Sequence, residues 1–254
     1  MSLTSRPDMN EKDNIYDKIR ELLGQIPGSL TVLEQQIDAD VQLEYYHCAK
    51  TMEADFDSEK VLRAKDDLFM REMPVEGKKK LLIQLAAIGN IEAFRTLEKF
   101  AHNHENGLTD WATLALQENR LLLESKLLDE NQVLISSGLG GKGLKIRYFT
   151  VLMTRTGRNF SDFEQKLVTS EIQFALKNCW SELETIYFDR ELCTIISLIP
   201  LQVPIQGLFD NILDECNQYG DFLNPDCMIT NVKILSGNQI RKLIKQNRVQ
   251  KKPG

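Results

Sequence analysis

The stretch at residues 131–155, NQVLISSGLGGKGLKIRYFTVLMTR, divides this chain of 254 residues into two parts with different patterns. No segment before it has the pattern of a β-strand, whereas strand-like and helix-like segments alternate after it. The stretch itself predicts two strands joined by a glycine-rich turn at residues 138–143. We therefore expect an α+β protein, with a helical region at residues 1–129 and a mixed α+β domain at residues 130–254.

Apolar residues in the first region recur at helical spacing. Ile15, Ile19 and Leu22 predict a first helix, which Pro27 ends because proline cannot continue the ladder of hydrogen bonds. A later helix is predicted to end at Gly89, since glycine readily adopts the left-handed conformation that closes a helix. We expect this region to be helical from residue 11 onward.

Residues 78–125 resemble HEAT-type helical repeats over about one and a half units. The resemblance rests on small residues that alternate with large apolar ones: Leu85, Ala86, Ala87, Gly89, Ala93, Leu97, Trp111, Ala112, Ala115 and Leu116. In such repeats the small residues let paired helices approach closely, and the resemblance implies a surface for protein partners rather than a reaction. An irregular helical bundle is the alternative interpretation.

The second region predicts the element order β–β–α–β–β–α–β–α, with strands rich in β-branched and aromatic residues. Two ββα units and a closing strand predict an antiparallel or mixed sheet with helices on one face. The long helix after Ser161 is expected to carry one broad apolar band: Phe163, Leu167, Ile172, Phe174 and Leu176.

The composition, with 42% hydrophobic and 27% charged residues, is typical of a soluble folded protein. No run of about 18 apolar residues occurs, so neither a spanning helix nor a membrane partner is expected. The N-terminus lacks the pattern of a secretory signal. The five cysteines form no CxxC pair, which predicts reduced thiols in a cytoplasmic protein.

The sequence GLGGKG at residues 138–143 matches a phosphate-binding loop only in part. A Walker loop needs glycine, four residues and then Gly-Lys-Ser/Thr at the start of a helix. Here Ser136 stands in the place of the first glycine, and Gly143 stands in the place of the hydroxyl residue. Gly138, Gly140 and Gly143 fit the spacing of a dinucleotide-binding GxGxxG turn, but the strand that follows them disfavours it, because such a turn opens a helix. We expect a flexible hairpin turn and assign no cofactor.

The histidines and cysteines give no recognisable catalytic or metal motif. His102 and His104 lie beside Glu105, but a metal site needs three or four converging ligands. His47 and Cys48 are adjacent, and adjacent residues on a helix point in different directions. No catalytic or metal-binding residue is assigned, although a triad assembled from distant residues is left open.

The net charge of −6 conceals a basic tail, because residues 237–254 hold six Lys or Arg and no acid. The acidic remainder opposes broad binding of nucleic acid, since phosphate groups would be repelled outside a local patch. Basic residues of the hairpin and tail form a candidate contact surface for a protein or for RNA: Lys142, Lys145, Arg147, Arg155, Arg158, Arg241, Lys242, Lys245 and Arg248.

Three functions agree with these patterns. The leading hypothesis is a non-enzymatic cytoplasmic interaction or adaptor protein with a protein partner. The first alternative is an RNA- or ribosome-associated factor that uses the turn at residues 138–143 and the basic tail. The second alternative is an enzyme with a site between the two regions, where clefts commonly form. The sequence specifies neither the partner nor the oligomeric state.

Overall fold

A computed structural model describes residues 29–52, 56–102, 107–130 and 132–250, with side chains up to residue 246. The helix predicted around Ile15 and Leu22 lies outside the described residues. The chain forms two compact units that divide between Gly138 and Leu139, whereas the sequence placed the division between residues 129 and 130. We call them the helical unit and the mixed unit. Together they give the predicted α+β class, with helices first and an antiparallel sheet after them.

The helical unit consists mainly of α-helices packed around one apolar core. They are α1 (Ala39–Thr51), α2 (Ser58–Arg63), α3 (Val75–Ile88), α4 (Ile91–Ala101) and α5 (Thr109–Leu128), with a 3₁₀ helix at Lys65–Phe69. Leu82, Leu85 and Leu97 are fully buried in this core. The core therefore joins α3 to α4, the helices that carry half of the residues resembling HEAT repeats.

Gly89 ends α3 as the sequence predicted, in the left-handed conformation at φ 57°. A side chain here would also collide with α5, because an added Cβ would lie 3.0 Å from the Cβ of Leu122. Lys126 of α5 donates to the carbonyl oxygens of Ile88 and Gly89 at 3.2 and 3.1 Å. The end of α3 is thus fixed by glycine and by a cation on the neighbouring helix.

The helical unit also contains a short parallel strand pair. β1 (Ser29–Val32) pairs with β2 (Gln132–Ile135), so the ends of the unit are joined by main-chain hydrogen bonds. The prediction that no strand precedes residue 131 was therefore wrong, and so was the pairing of the strand at residue 132 with the strand after the glycine turn. Four residues are too few to show a period of two, and a partner about 100 residues away gives no local hairpin signal.

The mixed unit has the predicted order of elements, but its first strand is the short β3 after the glycine loop. The elements are β3 (Gly141–Lys142), β4 (Lys145–Met153), α6 (Asp162–Asn178), β5 (Glu182–Asp189), β6 (Leu192–Pro200), α7 (Ile205–Asn217), β7 (Met228–Thr230) and α8 (Gly237–Gln250). All strand pairs in this sheet are antiparallel. β5 lies at one edge, followed by β6 and β4, and β3 and β7 share the far edge of β4. From β4 to β7 this is the split β-α-β topology of a ferredoxin-like βαββαβ unit.

Both faces of this sheet carry helices. α6 and α7 pack together on the face that carries Cys193, where Cys216 of α7 lies close enough to affect the Cys193 thiol. On the opposite face, Ile240 of α8 is buried against Phe149 and Val151 of β4. Within the described part of the chain, no helix is long and apolar enough to cross a membrane.

The glycine loop is packed rather than free. Leu139 is fully buried beside Phe149, and its N–H donates to the Asn231 carbonyl at 3.0 Å. The Arg147 N–H donates to the Gly140 carbonyl at 3.0 Å. Only residues 142–144 are exposed, where Gly143, at φ 59°, makes the tight turn between β3 and β4. The prediction of a flexible turn is therefore wrong for residues 139–141.

Candidate interaction surface

The start of α6 is held by a hydrogen-bonded group of three residues. Ser161 and Glu164 form a reciprocal capping box, in which each side chain accepts from the other residue's main-chain N–H. Arg158 donates to both carboxylate oxygens of Glu164, with its Nη1 2.8 Å from Oε2. These hydrogen bonds lower the pKa of Glu164 to about 2, and the one from Arg158 has the largest effect. The carboxylate stays ionised at neutral pH and fixes the first turn of the helix.

Two opposite sides of α6 are apolar. Val168, Ile172 and Leu176 are buried beneath the helix. Phe163 and Phe174, about three turns apart on the other side, are 61% and 65% exposed. The sequence had placed Phe163 and Phe174 in one band with Ile172 and Leu176. This was wrong because residues two apart, such as Ile172 and Phe174, lie about 200° apart around a helix with 3.6 residues per turn. An amphipathic surface helix normally has one apolar side, so the second side needs a separate explanation.

Trp180 lies just beyond the end of α6 and is a third exposed aromatic residue. It is 84% exposed and lines a cleft of about 600 Å³ with Gln173 and Lys177 of the helix and with Leu183 of β5. Phe163, Phe174 and Trp180 are called the aromatic surface below. It was not predicted from the sequence. Apolar residues on both sides of the predicted helix were the signal that could have revealed it.

The backbone of Trp180 is in the left-handed region, at φ 58°. It directly follows the C-cap Cys179, and the next residue, Ser181, donates its N–H to the Leu176 carbonyl at 2.9 Å. This is the position where helices usually place glycine. For a residue with a Cβ the left-handed conformation costs about 1–2 kcal/mol. A large apolar side chain is therefore held in water by a backbone that disfavours it.

Two lysines accompany the aromatic side chains of α6. Lys166 follows Phe163 by three residues, and Lys177 follows Phe174 by three residues, so each lysine is a neighbour of its aromatic residue on the helix surface. Both lysines are exposed, and neither forms an ion pair with any described residue. In a chain with a net charge of −6, unpaired cations beside exposed aromatic rings form a surface that fits an acidic, partly apolar partner.

The basic surface predicted from the sequence is organised differently. Six of its cations pair with carboxylates: Lys142 and Lys145 with Glu182, Arg147 with Glu184, Arg155 with Asp221, Arg158 with Glu164, and Arg241 with Asp189 and Glu191. Lys242 and Lys245 are exposed and form no ion pair with the part of the chain that is described, and the Arg248 side chain lies outside it. Most of these cations are thus already neutralised within the fold.

Strand geometry also separates these cations. Lys145 is the first residue of β4, and Arg155 follows its last residue by two positions. A strand rises about 3.3 Å per residue, so these two residues lie roughly 30 Å apart along the sheet. Arg147 has a structural role, because its Nη1 donates to the Leu139 carbonyl at 2.8 Å while Nε and Nη2 donate to Glu184. It joins the glycine loop to β5 across the sheet.

His102, which was considered for metal binding, belongs to the helical unit, whereas the aromatic surface belongs to the mixed unit. The Nδ1 of His102 is 2.7 Å from the Glu98 carbonyl oxygen of its own helix, and His104 lies outside the described residues. Over the described ranges, no three His, Cys, Asp or Glu side chains converge as metal ligands would. Burial raises the pKa of the Cys216 thiol to about 12, which keeps it protonated and unreactive.

Comparison with known proteins gives little further information. No family model matches the chain, and no curated protein matches it. A solved structure from Deinococcus radiodurans, described as a candidate transposase, matches 45% of this chain and 96% of its own, with 13% identity and a TM-score of 0.33. A similarity of this size carries no argument about function.

Proposed function

We propose that this chain is a non-enzymatic, cytoplasmic interaction protein that binds a protein partner on the aromatic surface of α6. The observation that carries the proposal is the exposure of Phe163 and Phe174 on one side of α6 and of Trp180 just beyond its end. Tryptophan is among the residues most enriched where binding energy concentrates in protein interfaces. Keeping Trp180 exposed in a strained backbone position stabilises nothing in the fold itself, so we assign it to binding.

The exposed area of the aromatic surface is large enough to form the central part of a protein interface. Large aromatic side chains bury about 150–250 Å² each, so the exposed parts of these three amount to roughly 400 Å². A stable interface buries about 800 Å² on each partner, and its core is apolar while its rim is polar. The three aromatic residues would form this core, and Lys166, Gln173 and Lys177 would belong to its rim.

The partner we propose is an amphipathic helix with acidic residues beside its apolar side. A helix fits because the two phenylalanines repeat at about three turns along α6, which matches apolar positions on a second helix packed along it. Acidic residues fit because Lys166 and Lys177 have no carboxylate partner among the described residues. This charge pattern favours a protein helix over RNA, because the chain is acidic overall and would repel phosphates everywhere except at the two lysines.

The other functions inferred from the sequence have less support. The likeness of residues 78–125 to HEAT repeats, and the partner surface it implies, stay predictions. The RNA- or ribosome-binding hypothesis also stays a prediction, and the ion pairs of Arg147, Arg155 and Arg241 weaken it because they neutralise the charges it needs.

Site-specific crosslinking in native cells tests the proposal. Ser170 is exposed between Phe163 and Phe174 on the same side of α6, so a photoreactive amino acid at this position would contact a bound helix. The same amino acid at Lys60, an exposed position on α2 of the other unit, is the matched control. We expect position 170, and not position 60, to crosslink to one protein through a segment with acidic and apolar residues at helical spacing.

Affinity measurements with a synthetic peptide of that segment complete the test. Phe174→Ser should weaken binding at least tenfold. Lys166→Glu with Lys177→Glu should weaken binding and reverse its salt dependence, because added salt would then screen a repulsion from the acidic partner. Lys242→Glu, which reverses an exposed lysine on α8, should leave binding unchanged. A crosslink to a second copy of this chain, to nucleic acid or to nothing would each overturn the proposal.

A further inference from the structure

A second cleft lies in the helical unit, between α1, α3 and α5. Its volume is about 560 Å³, within the range of small-molecule sites in proteins. It is lined by Cys48, Thr51, Met52, Phe56, Glu76, Lys79, Lys80, Ile83, Gln84 and Trp111. The cleft shares no residue with the aromatic surface, and nothing proposed above uses it.

Lys79 and Trp111 form a fixed wall of this cleft. The Nζ of Lys79 lies 4.5 Å from the centre of the Trp111 ring, and it donates to Glu44 at 2.7 Å. A second carboxylate, Glu76, lies 3.6 Å from the same Nζ. The hydrogen bond to Glu44 raises the pKa of Lys79, so the ammonium group stays charged and occupied. Lys79 therefore positions the indole and leaves little charge for a ligand.

Lys80 and Gln84 provide the unoccupied polar groups. They lie one turn apart on α3 and line the same cleft, so both can reach one ligand group. Neither forms an ion pair or a side-chain hydrogen bond with a described residue, and Lys80 is exposed. An ammonium and an amide N–H beside each other are suited to bind the two oxygens of a carboxylate.

The rest of the lining is apolar. Ile83 and Trp111 are buried at the base, and Met52 and Phe56 are partly buried beside them. Such side chains gain from covering hydrocarbon at about 25 cal/mol per Å². A ligand that satisfies both parts of the cleft has an anionic end and an apolar body.

We infer that this cleft binds a small organic monocarboxylate, with its carboxylate on Lys80 and Gln84 and its hydrocarbon against Ile83, Phe56 and Trp111. The ligand class is set by the apolar base and by Lys80, which has no ion pair among the described lining residues and lies beside one amide. A dianion would lack a second free cation among the described lining residues, because Lys79 is already paired with Glu44.

Fluorescence of Trp111 gives a direct test. The chain has two tryptophans, so Trp180→Phe leaves Trp111 as the single reporter, and Trp180 belongs to the other unit. We expect octanoate to change the Trp111 emission saturably, while octanol and octylamine bind at least tenfold more weakly because they lack the charge that Lys80 recognises.

Variants at the rim separate this inference from general apolar binding. Lys80→Gln should weaken octanoate binding about tenfold, and Gln84→Ala should weaken it less, since a charged partner contributes more than a neutral amide. Lys60→Gln, on an exposed lysine of α2, is the matched control and should have no effect. Thermal melting establishes that each variant is folded. Absence of saturation, equal binding of the three octyl compounds, or unchanged binding in folded Lys80→Gln would each overturn the inference.

Discussion

The two apolar sides of α6 differ in the kind of residue they carry. The buried side has the aliphatic residues Val168, Ile172 and Leu176, whereas the exposed side has Phe163 and Phe174, followed by Trp180 beyond the helix. Aliphatic side chains fill a core at high density, and aromatic side chains give large contact area at low cost in conformational entropy. The difference agrees with the proposal that the exposed side serves binding, while the buried side serves folding.

The largest expected effect comes from the buried side. Ile172→Ala should lower the free energy of unfolding of the mixed unit by about 3 kcal/mol, through lost burial and an unfilled cavity. Phe174→Ala should change it by less than about 0.5 kcal/mol, because an exposed side chain has few contacts to lose. Native-state hydrogen exchange of the β6 amides measures both values for this unit alone. Equal losses in the two variants would show that the exposed side also supports the fold.

The cap of α6 should give a smaller effect that depends on pH. The folded pKa of Glu164, about 2, lies below its ordinary value of 4.5, so its stabilisation is present above pH 4.5 and is lost as the pH falls towards 2. Glu164→Gln should cost about 2 kcal/mol at pH 6, allowing for the half-exposed Arg158, and little at pH 2. Denaturation of both proteins across this range measures the difference, and a constant difference would contradict the assignment.

The strained tryptophan should give a change of the opposite sign. Trp180→Gly should stabilise the mixed unit by about 1 kcal/mol, because glycine adopts the left-handed conformation without strain. The same change should abolish binding of the α6 partner. Trp180→Ala keeps the strain and removes the indole, so it should lose binding without gaining stability. A loss of stability in the glycine variant would show that the indole supports the fold.

The smallest effect on the fold is expected at the two lysines. Lys166→Gln with Lys177→Gln should change the free energy of unfolding by less than about 0.5 kcal/mol, since both side chains are exposed and unpaired within the described fold. The same variant should bind the partner peptide with a weaker dependence on salt. Titrations at two salt concentrations measure this, and an unchanged dependence would remove the lysines from the interface.

Local signals in the sequence were sufficient for the element order from β4 onward and for several helix ends. Gly89 ends α3 and Ser161 caps α6, because these effects depend only on neighbouring residues. The strongest strand, β4, was recognised from its β-branched and aromatic residues. The α+β class follows from the order of such segments.

Features that depend on distant residues could not be predicted in this way. The sequence predicted that Arg147 contacts a binding partner. In the structure it pairs with Glu184 of β5, and the sheet order, which the sequence does not reveal, brings these two residues together. The glycines around Leu139 predicted a flexible turn, yet Leu139 is buried in an apolar cluster with Phe149 of β4 and Ile240 of α8. The aromatic surface was missed for a related reason, since exposure depends on which side of α6 meets the sheet.

The parallel pairing of β1 with β2 has a mechanical consequence. The chain enters the helical unit at the start of β1 and leaves it after the end of β2, so the two points lie at opposite ends of the pair. Tension along the chain would pull the strands past each other and load their evenly spaced hydrogen bonds together. This short pair of strands would therefore resist stretching of the helical unit, because its hydrogen bonds would have to break together and not one after another.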